Sequence, residues 1–167
     1  MTYNFKHLII IIVIFIFGCE KNHNKSPNIV FILTDDLAYA DLSSYGSEFI
    51  NTPHIDKMAN DGVKLTSYYA AQAVCSASRA AILTGCYPNR LGISGAFGPN
   101  SKKGINPDEL LLSEMLKNND YKTGIFGKWH LGDAEKFMPT NHGFDEFYGI
   151  LFSHSHQLHL LLEKDLI

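Results

Sequence analysis

The chain has 167 residues, 46% hydrophobic and 19% charged, enough apolar material for a domain of ordinary size with a real core and too much for a disordered polypeptide. A formal net charge of −3 with no basic run excludes a nucleic-acid-binding surface of the usual electrostatic kind. Three cysteines are too few for a disulfide framework, so each requires its own explanation.

Lys6 and His7 precede an apolar run over residues 8–17 that ends at Gly18-Cys19. At about ten residues the run is short for a membrane-spanning helix and right for a signal-peptide core. The ending Ile16-Phe17-Gly18-Cys19 resembles a bacterial lipobox, in which the cysteine becomes the lipidated first residue. An uncleaved anchor, or a signal cut elsewhere, is the alternative. Either way the protein is expected to be exported, periplasmic or at the cell surface, with a membrane as partner through lipid on Cys19. The polar residues 20–27 read as a tether.

Residues 28–33 form a continuous β-branched and apolar run, the pattern of a strand buried on both faces of a parallel sheet. It ends in Thr34-Asp35-Asp36. Adjacent carboxylates at the end of a buried strand are costly without a positive partner. A hard divalent cation, calcium or magnesium, would supply one; an N-cap or a surface turn is the other reading. Thr52-Pro53-His54-Ile55-Asp56 opens a short helix with proline at its start, closed by Gly62, with Ile55, Met58 and Ala59 on one face. Residues 63–70 alternate enough to predict a second strand.

Residues 74–90 carry the densest chemistry. Cys75 stands at the start of a predicted short buried helix through Ala80, Ala81, Ile82 and Leu83, stopped by Gly85, and Arg79 lies one turn on, over the same face. Main-chain N–H groups at that helix start, with the guanidinium, would make an anion site. The stretch therefore reads as a nucleophile-like side chain beside an oxyanion, or as a core helix with a surface arginine. Cys86 is not expected to pair with Cys75, since eleven helical residues would separate them by roughly 16 Å.

Residues 91–103, rich in glycine, serine, proline and asparagine, predict a loop near a substrate mouth. Asn106-Pro107-Asp108-Glu109 reads as a capped helix start with Leu110, Leu111, Met115 and Leu116 buried. A third strand is predicted over residues 121–126, with Gly127-Lys128-Trp129-His130-Leu131-Gly132 just past its end. Lys128 and His130, two apart, would point the same way in an extended segment. A cation and an imidazole there fit oxyanion recognition; a solvated lysine and a packed histidine are the plainer reading.

Five segments, in order and spacing, resemble the formylglycine-dependent sulfatases of the alkaline-phosphatase-like superfamily. They are residues 27–36 ending in Asp35-Asp36, Thr52-Pro53-His54-Ile55-Asp56, Cys75-Ser76-Ala77-Ser78-Arg79 through Leu83-Thr84-Gly85, Gly127-Lys128-Trp129-His130-Leu131-Gly132, and His142-Gly143-Phe144-Asp145 through Tyr148-Gly149. The resemblance covers roughly residues 26–154. It implies an α/β fold with a parallel-rich sheet flanked by helices. It also implies hydrolysis of sulfate monoesters, on a sulfated small molecule or glycan, by a hydrated formylglycine made from Cys75 by a maturase. By the same resemblance Asp35, Asp36 and the modified Cys75 would hold calcium, and Arg79 would steady the nucleophile. Lys128 and His130 would contact the sulfate and the hydrate, and Ser153 would lie near the sulfate. Ala77, where many members have proline, points to a maturase that works without oxygen. Cys86 reads as an unpaired bystander.

Members of that family are several times longer, and their second calcium ligand pair lies beyond the region matched. The chain is thus expected to be an N-terminal part of the fold, inactive alone: signal segment 1–19, tether 20–27, sulfatase region 28–154 and a divergent tail 155–167. His154, His156 and His159 in and before that tail invite a zinc reading that nothing else supports. Two rivals remain: a phosphonate or phosphodiester hydrolase of the same superfamily, and an inactive, lipid-anchored binder of sulfated glycans.

Overall fold

The computed structural model describes residues 26–152. Cys19 with its lipobox-like context, and Ser153, His154, His156 and His159, lie outside the described residues. The chain divides into two compact units, Met1–Lys64 and Leu65–Ile167, and no helix among the described residues is long and apolar enough to cross a membrane.

In the first unit, residues 26–34 have no regular structure, and Val30 and Ile32 are 83% and 73% exposed. This corrects the expected buried strand. A run apolar on both faces is stable as a strand only between ladder neighbours and under cover, and the ladder among the described residues joins two later strands. The strand expected over residues 63–70 is likewise absent, with Val63 and Tyr69 more than four-fifths exposed. The predicted helix does form, as α1 at Pro53–Asp61, with Gly62 N–H donating to the Met58 carbonyl. Asp56 explains its motif: its two carboxylate oxygens accept the Ser43 hydroxyl at 2.6 Å and the Thr52 hydroxyl at 3.0 Å. The Ser43 bond leads in holding its pKa below the ordinary value. Asp56 thereby ties the start of α1 to the 3-10 turn Ser43–Tyr45.

The second unit holds the core. Helix α2, Cys75–Thr84, runs from Val74 in extended conformation to Gly85, whose φ of 69° is the left-handed stop glycine allows. It buries Ser76, Ala77, Ala80 and Ala81. Helix α3 is shorter and later than the sequence indicates, at Leu112–Lys117. Asn106 does cap, but caps a turn: its side chain accepts the Asp108 N–H at 3.2 Å. The helix begins after Leu111, whose N–H meets the Glu114 carboxylate at 2.8 Å. The shifted start leaves Leu110 and Met115 half exposed, while Leu111 is buried as expected and Ser113 is buried with it.

Strands β1, Gly124–Lys128, and β2, Glu146–Ile150, pair in parallel, with Gly127 opposite Gly149. Their starts are fastened by Asp145, which accepts the Lys117 ammonium at 2.6 Å and the Thr123 N–H at 2.9 Å; these two bonds hold its carboxyl at about 2. Beneath lie Ile105, Leu111 and Leu131, all 0% exposed, each contributing about 1.5–3 kcal/mol by burial. Trp129 joins them, its indole N–H satisfied by the Phe137 carbonyl at 2.8 Å.

Two predictions follow from this packing. A Cβ on Gly149 would stand 1.8 Å from the Gly127 carbonyl oxygen, whereas one on Gly95 meets nothing within 4 Å. Gly149→Ala is expected to lower the urea-unfolding stability by about 3 kcal/mol, and Gly95→Ala to change it by less than about 0.5 kcal/mol.

The second concerns His142, which is fully buried. Burial pushes its pKa below the usual 6.5, against the opposing pull of the Glu114 carboxylate and the Lys136 main chain. Below about pH 6.5 the unfolded chain then binds a proton that the folded chain refuses, so stability drops with falling pH. Unfolding titrations are expected to register this drop, and His142→Phe to flatten it.

Candidate active site

The head of α2 and the end of β1 meet at three side chains. Cys75 is the first residue of the helix and Arg79 lies one turn on. The Arg79 guanidinium donates through Nη1 to the main-chain carbonyl of Lys128 at 2.5 Å, and the Lys128 ammonium lies 3.5 Å from Cys75 Sγ. All three are half-buried. The one-turn spacing of Cys75 and Arg79 is therefore realised around a third residue, with the guanidinium bound to the sheet. Cys75 and Cys86 are both free thiols.

His130 sits differently from expectation. Ladder-type bonds continue past the strand ends, Trp129 N–H to Ile150 and His130 N–H to Leu151 at 2.9 and 3.0 Å, but His130 has φ 58°. Extended backbone stops before it, so the period-two argument does not orient its ring. The ring is 5% exposed, lies edge-on to Phe152 with centroids 5.7 Å apart, and bonds through Nε2 to the Phe97 carbonyl at 2.8 Å.

Phe97 belongs to the loop predicted near the substrate. Its N–H donates to the hydroxyl of buried Ser76 at 3.0 Å. The same loop is stitched along the next residues by Asn100 N–H to the Asp133 carboxylate, 2.7 Å, and Ile105 N–H to the Leu131 carbonyl, 2.8 Å. Ser76 and Phe97 are site residues that pattern reading does not find. The available signals are a serine beside the cysteine and a lone aromatic in a glycine-rich loop.

Asp35 and Asp36 lie in the first unit and are exposed; Asp36 has φ 56°, a left-handed conformation that aspartate tolerates better than most residues. Exposure removes the desolvation cost that the sequence alone assigns to the pair. Their oxygen donors suit calcium or magnesium, though two carboxylates fall short of the six or more ligands calcium takes. Among the described residues no group of three or more His, Cys, Asp or Glu is disposed to hold a metal.

Comparison with known proteins is consistent along this whole region. A family model described as Sulfatase matches residues 27–158. Arylsulfatase A of Bos taurus is 46% identical over 131 residues, which cover 77% of this chain and 26% of that protein. The solved structure of Ps i-CgsB is 42% identical with a TM-score of 0.75, covering 77% of this chain and 29% of that one. PsFucS1 sulfatase from Pseudoalteromonas sp. is 35% identical with a TM-score of 0.72, over 92% and 31%. The chain thus spans about a quarter of the length of the curated relatives it matches.

The Arg79 bond can be checked on the free chain. Arg79→Ala leaves a half-buried carbonyl without its charged donor and is expected to cost about 1–3 kcal/mol in urea unfolding. Lys128→Ala keeps that acceptor, which is main chain, and is expected to cost less. Equal losses would show that the side chain of Lys128, not its carbonyl, anchors the helix.

Proposed function

The chain belongs to the sulfatase family, and we propose that it carries the nucleophile-bearing part of a sulfuric ester hydrolase site of the alkaline-phosphatase-like α/β fold. The observation that carries this reading is the approach of the Lys128 ammonium to Cys75 Sγ at a helix start. A sulfate monoester presents a weakly electrophilic sulfur behind negative oxygens, so fixed positive charge beside the attacking atom is what the reaction needs. Lys128 supplies that charge, and the α2 N-terminus adds main-chain N–H groups of the same sign. Arg79 holds the Lys128 carbonyl and so keeps strand end and helix head in register. His130 is the titratable group of the same segment, suited to move a proton.

Oxidised to formylglycine, Cys75 would supply a hydrated aldehyde as the attacking group: one hydroxyl would take the sulfuryl group, and loss of the other's proton would expel sulfate and restore the aldehyde with no water at the sulfur. Asp35 and Asp36 would be two of the carboxylates on a calcium ion, whose chemistry is to neutralise negative oxygens. These roles, and that of Ser153 near the sulfate, rest on family membership and donor chemistry. The proposal extends to a sulfated small molecule or glycan as substrate, to a maturase acting on Cys75, and to export with a lipid anchor on Cys19.

The test is chemical. Co-expressed with a formylglycine-forming maturase, the tryptic peptide containing Cys75 is expected to lose its sulfur and to react with a hydrazide probe, as read by mass spectrometry. A Cys75 that remains a thiol in every condition overturns the proposal. In a polypeptide of the relatives' length, aryl sulfate is expected to be turned over in preference to aryl phosphate; the reverse order favours a phosphoester hydrolase.

A further inference from the structure

We infer that Ser76 is a positioning residue for His130, acting through the backbone of Phe97. What His130 is positioned for rests on the sulfatase reading above; the positioning itself does not. Ser76 follows Cys75 on α2, is 0% exposed, and accepts the Phe97 N–H on its hydroxyl oxygen at 3.0 Å. The carbonyl of the same residue lies 2.8 Å from His130 Nε2. A carbonyl oxygen only accepts, so Nε2 must carry the hydrogen, and in the neutral ring Nδ1 is then the lone-pair atom. Phe97 is in this way gripped at both ends of one residue, its N–H by the helix that carries Cys75 and its C=O by the histidine.

Two features make the grip consequential. His130 is held at φ 58°, a left-handed conformation that is strained for a non-glycine residue and persists only where the surroundings over-determine it. The loop is joined to residues 131 and 133 by the Ile105 and Asn100 N–H groups, so the carbonyl that selects the tautomer has little freedom once Ser76 fixes the other side. With Ser76 removed, the Phe97 N–H loses its buried acceptor, the loop relaxes, and Nε2–H and Nδ1–H forms become closer in energy.

The experiment is imidazole nitrogen NMR of His130 in the full chain, at a pH where the ring is neutral and with Cys75 as the thiol. The unsubstituted chain is expected to hold His130 as the Nε2–H tautomer. Ser76→Ala is expected to reduce the ratio of Nε2–H to Nδ1–H roughly fivefold, the effect of one hydrogen bond, and Ser76→Thr, which keeps the hydroxyl, to restore it. An unchanged ratio in Ser76→Ala, or a threonine variant that behaves like the alanine one, overturns the inference. Because removal of a buried hydroxyl can unfold the chain, the unsubstituted protein provides a second reading. Its Phe97 amide is expected to exchange with solvent far more slowly than those of Gly95 and Gly98; equal exchange, or an Nδ1–H ring, overturns the inference without any variant. No readout depends on turnover or on formylglycine. Failure of Cys75 to convert, with the tautomer as expected, would count against the sulfatase reading and leave the positioning intact.

Discussion

One hydrogen bond sets the geometry on which the site depends: the Arg79 guanidinium on the carbonyl of Lys128. It joins the helix bearing the nucleophile position to the last residue of β1, a charge-assisted bond in a half-buried setting where either group left alone is costly. Because the acceptor is main chain, the bond leaves the lysine ammonium to partners of its own, one of which is Cys75 Sγ. A carboxylate acceptor would have met the guanidinium equally well, but would have brought negative charge beside the proposed sulfate position. A backbone carbonyl holds the arginine without that charge.

The residues after Lys128 anchor the segment and hold the ring to which the proposed function gives a proton-moving role. Trp129 and Leu131 are 1% exposed or less and fasten the segment to the core, the first also through its indole N–H. His130, between them, is placed by its own N–H on Leu151, by Phe152 against its ring edge and by the Phe97 carbonyl on Nε2. Strained backbone at 130 is sustained because both neighbours are immobilised and the ring is fixed independently. The loop over residues 91–103 thus behaves as part of the site scaffold, with three of its N–H groups or carbonyls committed to the helix or to residues 130–133.

Legibility in the sequence followed the kind of interaction involved. Helix α2 and its cysteine–arginine pair could be read because small apolar residues, a stop glycine and one-turn spacing are side-chain signals. Helix α1 could be read from Pro53 and Gly62 for the same reason. The clamp on His130 could not, since it is made by main-chain groups of Phe97, and a carbonyl leaves no mark on residue type. The start of α3 was misplaced because Asn106, Pro107 and Asp108 satisfy a helix cap and an Asx turn equally well; the Glu114 bond to the Leu111 N–H decides between them. At His130 a period-two argument failed where a positive φ interrupted the strand.

The run over residues 28–33 makes a different point. Two-sided hydrophobicity is a statement about what should surround a strand, and among the described residues of the first unit none is buried. The apolar side chains there stand in solvent, in a chain spanning about a quarter of its relatives' length. The same exposure changes the argument for a cation at Asp35 and Asp36. Buried at a sheet edge, the pair would demand positive charge for its own stability; in solvent it demands none. The proposal of calcium then rests on the chemistry of the donors, oxygen-only and adjacent, and on family membership. A carboxylate pair already solvated would bind a metal only as strongly as its further ligands allow, so the strength of the site is set by oxygens outside this pair.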